Sequence, residues 1–207
     1  MKTTAKITAM TAMAVIAGMS AQAAELGEAA GRKVTVCMEG ASLDPSVALR
    51  AREMASKMFS GVGVTLDWRH NCPADSIRIS LSDQSLAGRL PNAFAYALPY
   101  EGTHIVIFYD RVEHVSQPSR RPSLLAHVLV HEITHILQGV ERHSAEGVMK
   151  ANWDGGDYSA MTWKPLAFTP EDIVLLHNGL ARRSAQANLP RLTANLENNS
   201  ASSATLQ

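Results

Sequence analysis

An excess of charge of either sign is missing from this chain, in which 19 Lys and Arg stand against 19 Asp and Glu. Without a basic stripe nothing neutralises a phosphate backbone, which excludes nucleic acid as a partner. Long hydrophobic runs are missing too. The one candidate, Ile7 to Met19, is shorter than the roughly 20 residues that span a bilayer. It follows Lys2 and Lys6 and precedes Ala21-Gln22-Ala23, the order of a secretory signal peptide cut after Ala23. Cleavage removes two lysines and no acid, so 17 basic residues face 19 acidic ones, a net charge near −2. No membrane anchor is expected to remain.

Cysteine is nearly absent as well. Cys37 and Cys72 are the two in the chain, and in an exported protein an even pair is expected to be bridged. Closing that loop stabilises by roughly 3 to 4 kcal/mol on the chain-entropy model. Aromatic residues make up 5% of the chain, yet apolar residues reach 46%, enough to bury a core and to exclude disorder throughout. Residues 24–184 are expected to form one domain. Residues 185–207, rich in Ala, Asn and Ser without periodicity, read as a disordered tail. No internal repeat interrupts this plan.

What is present falls into an α/β (α+β) pattern. "KVTVCM" (Lys33 to Met38), "VTLDW" (Val64 to Trp68), "SIRISL" (Ser76 to Leu81), "AFAYAL" (Ala93 to Leu98) and "THIVIFY" (Thr103 to Tyr109) read as strands. The last is nearly continuous in apolar residues and is expected inside the sheet. Between the first two strands, Asp44 as N-cap, Pro45 at the first helical position and Gly61 as stop mark a helix, which favours parallel pairing. A mixed sheet is the expected result.

From Arg121 to Gln138 the period becomes helical, with Leu125, Leu129, Ile133 and Ile136 on one face and Pro122 in the first turn. Gly139 is expected to end this helix with a positive φ. A glycine-rich irregular segment follows. "FTPEDIVLLHNGLARR" then predicts a final helix with Thr169 as N-cap and Pro170 at its first position.

The chemistry concentrates in "HVLVHEITHILQGVERHSAEGVMKANW", His127 to Trp153. His131 and His135 are four apart, so both imidazoles leave one helix face a turn apart and can clamp one tetrahedral Zn2+ ion. Glu132 lies beside them. This is the HExxH arrangement, in which two neutral imidazoles hold zinc and the glutamate serves as general base. A catalytic zinc takes three protein ligands and leaves one position open. His143 is the choice for the third, because a break at Gly139 lets the chain turn back. Glu141, Glu146, Asp154, Asp157 and Glu171 are its rivals. His127, one turn before His131, cannot join the same ion from a straight helix. It reads as a packing residue, as do the isolated His70, His104, His114 and His177. Trp153 and Trp163 read as core.

These residues resemble the metzincin clan of zinc metallopeptidases, whose signature is HExxHxxGxxH followed by a methionine-bearing turn. The likeness is closer to exported bacterial proteins with the pattern HExxHxxxGxxxHSxxGxMxxxW. It extends upstream through "FYDRVE" and "FAYALP" and downstream to "FTPEDI". It implies a zincin-like mixed sheet with an active-site helix and a C-terminal helix. It also implies a periplasmic or extracellular bacterial zinc metalloendopeptidase, with a peptide or protein as substrate. Gly139 and His143 both lie farther from His135 than the clan's signature places its glycine and third histidine. Met149 matches the clan's methionine, which forms an apolar floor under the metal. A tyrosine two residues past that methionine assists catalysis in some members, but Ala151 stands there, leaving Tyr158 as the nearest substitute. Two other readings share the residues: a non-catalytic zinc-binding module, and a zinc amidase acting on cell-wall peptides.

Overall fold

The computed structural model describes residues 32–39, 43–82, 93–99 and 101–204, with side chains through residue 187. The expected signal peptide, residues 1–23, lies outside them. Among the described residues five strands and five helices follow in order: β1 (Lys33–Glu39), α1 (Pro45–Ser60), β2 (Thr65–Arg69), β3 (Ile77–Ser82), β4 (Ala95–Ala97), β5 (His104–Phe108), α2 (Tyr109–Val115), α3 (Arg121–Gln138), α4 (Gly155–Trp163) and α5 (Pro170–Ala204).

The sheet runs in the order β2-β1-β3-β5-β4. β1 pairs in parallel with β2 and with β3, β3 in parallel with β5, and β4 antiparallel with β5. The strand-helix-strand opening thus gives the parallel pair that short right-handed crossovers favour. β5 lies inside the sheet and β4 forms its edge. Val36, Ile77, Ile79, Ile105 and Ile107 are fully buried, as the β-branched runs require.

α1 begins where Asp44 accepts the Ser46 N–H at 2.7 Å, with Pro45 at the first position. It packs against α3. α3 starts and stops at the expected residues, with Gly139 at φ 69°. Leu125, Leu129, Ile133 and Ile136 are buried as expected, and so is every other residue from Pro122 to Gln138. A helix covered all round is apolar on more than one stripe, and here Val128, Val130 and Leu137 supply the others.

Several expectations fail in place. α4 occupies ground read as irregular, because Asp154 caps it through the Gly156 and Asp157 N–H groups while Asp157 answers the Asp154 N–H. Such a reciprocal cap can start a short helix despite two glycines. Trp163, read as core, is 90% exposed. The final helix extends to Ala204, over residues that the sequence reads as a tail. No described helix is long and apolar enough to cross a membrane.

Gly179 of α5 meets the end of α3 at a crossing that only hydrogen can occupy. A Cβ there would stand 1.8 Å from the Leu137 carbonyl oxygen. Around it, Gln138 Nε2 donates to the Asp172 carbonyl at 3.1 Å and Arg182 Nη2 to the Gln138 carbonyl at 2.7 Å. The helix that carries the histidines is thereby fixed at its C-terminal end.

Candidate metal centre

His131 and His135 leave α3 a turn apart, and their ring centroids lie 4.7 Å from one another. Gly139, in the left-handed conformation, donates its N–H to the His135 carbonyl at 2.9 Å and turns the chain back. The returning segment delivers His143, with ring centroids 5.2 Å from His131 and 4.9 Å from His135. One ligand nitrogen from each ring lies within 4.8 Å of the other two. Among the described residues this is the group of His, Cys, Asp and Glu with the geometry to hold a cation.

Hydrogen bonding decides which nitrogens are free. His131 Nδ1 lies 2.9 Å from the Val148 carbonyl oxygen, and His135 Nδ1 lies 3.0 Å from that of Val140. A carbonyl oxygen accepts and never donates, so each Nδ1 carries the proton. In the neutral rings both Nε2 atoms are then bare lone pairs, and they face one another at 3.1 Å. Two lone pairs at that distance repel unless a cation draws them together. Nitrogens each about 2.0–2.1 Å from one tetrahedral zinc stand roughly 3.3 Å apart. The donor set therefore fits a zinc ion.

Burial keeps these rings neutral. It pushes His131 down to about 3, with the neighbouring His135 adding to the effect. Burial also lowers His135 and His143 below the ordinary imidazole range. Glu132 is 8% exposed, and burial alone pushes its carboxyl up to about 8. A cation close by acts in the opposite direction and favours the carboxylate.

Three of the five rivals for the third ligand are otherwise engaged. Asp154 and Asp157 hold Lys150 Nζ at 2.6 and 2.7 Å, and Glu171 pairs with Arg142. Glu141 lines the same cavity as the three histidines. His127 keeps its structural role, since Nδ1 lies 2.7 Å from the Ser123 carbonyl and Nε2 accepts the Leu166 N–H at 3.0 Å. Met149 is fully buried. Its carbonyl accepts the Ser144 N–H at 2.8 Å, and the preceding carbonyl holds His131, so this turn is laced to the cluster from two sides.

A cavity of about 640 Å³ opens on the cluster, bounded by β4, the three histidines, Glu132 and the Trp153 and Tyr158 rings. Trp153 meets His131 edge-on at 5.6 Å and stacks on Phe94 at 6.4 Å. Phe94 meets Tyr158 edge-on at 6.5 Å.

Among solved structures, archaemetzincin from Methanopyrus kandleri matches over 72% of this chain and 95% of its own length, at 16% identity and a TM-score of 0.51. The fold is zincin-like. Myroilysin matches more loosely, over 69% of this chain and 65% of its own, at 16% identity and a TM-score of 0.37. No protein-family model matches the chain. No curated sequence matches it.

Within the zincin-like fold, the sequence had pointed to the histidines, to Glu132 and to Tyr158, but not to Trp153 as a cavity wall. Trp153, read as core, packs against the core and also forms the wall beside His131. Tyr158 reaches the cavity because α4 exists, and the Asp154 cap three residues before Asp157 was the signal for that helix. Cys37 and Cys72, expected as a bridge, stand as two thiols. Cys72 donates to a Glu39 carboxylate oxygen at 3.1 Å. A hydrogen bond with Cys37, then burial and Glu39, push the Cys72 thiol up to about 12.

Proposed function

We propose that this protein is an exported zinc metalloendopeptidase in which His131, His135 and His143 hold the metal and Glu132 is the general base. The observation that carries the reading is the pair of facing Nε2 lone pairs at 3.1 Å in a cavity that Glu132 also lines. Zinc held there would supply a Lewis acid for the scissile carbonyl and would acidify a water. Glu132 would accept the proton of the attacking water and pass it to the departing amine. The Val148 and Val140 carbonyls keep both ring protons on Nδ1, which reserves each Nε2 for the metal.

β4 supplies the binding edge. Its inner side pairs with β5, and its outer backbone groups can take an extended peptide as a further strand over the cavity. Phe94, Trp153 and Tyr158 give that cavity apolar walls. The open cavity and a carboxyl inside it argue against a purely structural zinc module, which closes its coordination shell with protein ligands.

The test is Glu132→Gln. The variant should keep zinc, measured by metal analysis, and lose cleavage of an unstructured protein such as casein by about 10²- to 10⁴-fold, the contribution of a positioned general base. Cleavage at the parent's rate would refute the assignment.

A further inference from the structure

His143 differs from the other two histidines in how it is held. His131 and His135 ride on a buried helix, while His143 is exposed on a segment with no helix or strand of its own. Its two sequence neighbours, however, reach the same buried group. Ser144 Oγ donates to Asp172 Oδ1 at 2.6 Å, and Arg142 Nη1 donates to that oxygen at 3.0 Å. Arg142 Nη1 also donates to Ser144 Oγ at 3.2 Å. Asp172 is fully buried. Burial opposes its ionisation, but the hydrogen bonds from Ser144 and Thr169 overcome this and hold the carboxyl below its usual range.

The two oxygens of Asp172 divide the labour. Oδ2 accepts the Thr169 N–H at 3.0 Å and the Thr169 hydroxyl at 2.7 Å, which closes the cap of α5. A cap needs no more than that. Oδ1 is given over to the residues on either side of His143.

Resting on the zinc reading above, we propose that Asp172 is the positioning residue of the metal centre, gripping Ser144 and Arg142 through Oδ1 so that the third imidazole is presented to the other two. Partners that orient a ligand from behind change metal affinity by about 10- to 100-fold when removed. The division between the two oxygens makes positioning separable from capping. Ser144→Ala removes a hydroxyl that touches Oδ1 and leaves the Thr169 cap whole. Thr169→Ala does the reverse.

The experiment is a zinc titration against a competing chelator dye, with the visible spectrum of the cobalt(II) form and the melting temperature of the metal-free protein. It is run on the parent, Ser144→Ala, Arg142→Gln, Thr169→Ala, Ser144→Thr and His131→Ala. Ser144→Ala and Arg142→Gln should bind zinc at least about tenfold more weakly and alter the cobalt bands. Thr169→Ala should melt lower at parental affinity, and Ser144→Thr, which keeps the hydroxyl, should restore affinity. Parental affinity in both Ser144→Ala and Arg142→Gln overturns the proposal. So does an equal loss in Thr169→Ala, which would make Asp172 a folding residue only. Equal binding by the parent and His131→Ala overturns the zinc reading itself, and this inference with it.

Discussion

Gly179→Ala sets helix propensity against a backbone contact, and the two give opposite signs. In an exposed helix interior the change would stabilise by about 1 kcal/mol. At this crossing the new Cβ would lie 1.8 Å from the Leu137 carbonyl oxygen, 2.8 Å from its carbon and 3.1 Å from Gln138 Cα. All three are backbone atoms, so no side chain can swing aside. α3 and α5 must part by more than an ångström, in a layer where Leu176 and Leu180 are buried. Overpacking of this kind costs about 1–3 kcal/mol, and a triple backbone contact places it at the upper end. The net is about 2 kcal/mol of destabilisation, a fall in melting temperature of roughly 4–8 °C for a domain of this size. Thermal unfolding by circular dichroism measures it, with Gly155→Ala as control, since nothing lies within 4 Å of a Cβ there. His135 is two residues from Leu137, so zinc affinity should fall with the melting temperature. A Gly179→Ala protein that melts higher than the parent refutes the crossing.

Burial holds the His127 imidazole below its ordinary range, and the neutral ring's contribution is therefore complete above the unfolded value near 6.5 and lost as pH falls below it. In the metal-free protein the stability gap between parent and His127→Gln, read from urea midpoints, should narrow from pH 7 to pH 5; a constant gap contradicts the neutral-ring assignment. Cys37 and Cys72 are within hydrogen-bonding reach. Exposed to a disulfide donor, the two thiols should become one disulfide while the donor is reduced, lowering the mass by two hydrogens. The bridge should stabilise by roughly 3 to 4 kcal/mol, and persistence of two alkylatable thiols in the folded, oxidant-treated protein argues against it.

The metal helix was legible because its signals are local. Pro122, the HExxH spacing and Gly139 each act within a turn, and together they set both ends of α3 and the common face of His131 and His135. The strands were legible from their β-branched runs. The all-round burial of α3 was not, since it depends on what α1, β4 and α5 place around it. Trp163 failed for the same reason: an indole ring in sequence carries no record of whether a neighbour covers it. Asp172 was read only as part of a helix start, and its second task is set by a chain segment 28 residues earlier that supplies Ser144.

Because α3 presents no solvent face from Pro122 to Gln138, the paired imidazoles sit on a rod that tolerates almost no drift in its own sequence. Room for change therefore lies elsewhere, along the short β4 border and in the aromatic residues around Trp153, where a substitution reshapes the cavity without disturbing the rod that carries the imidazoles.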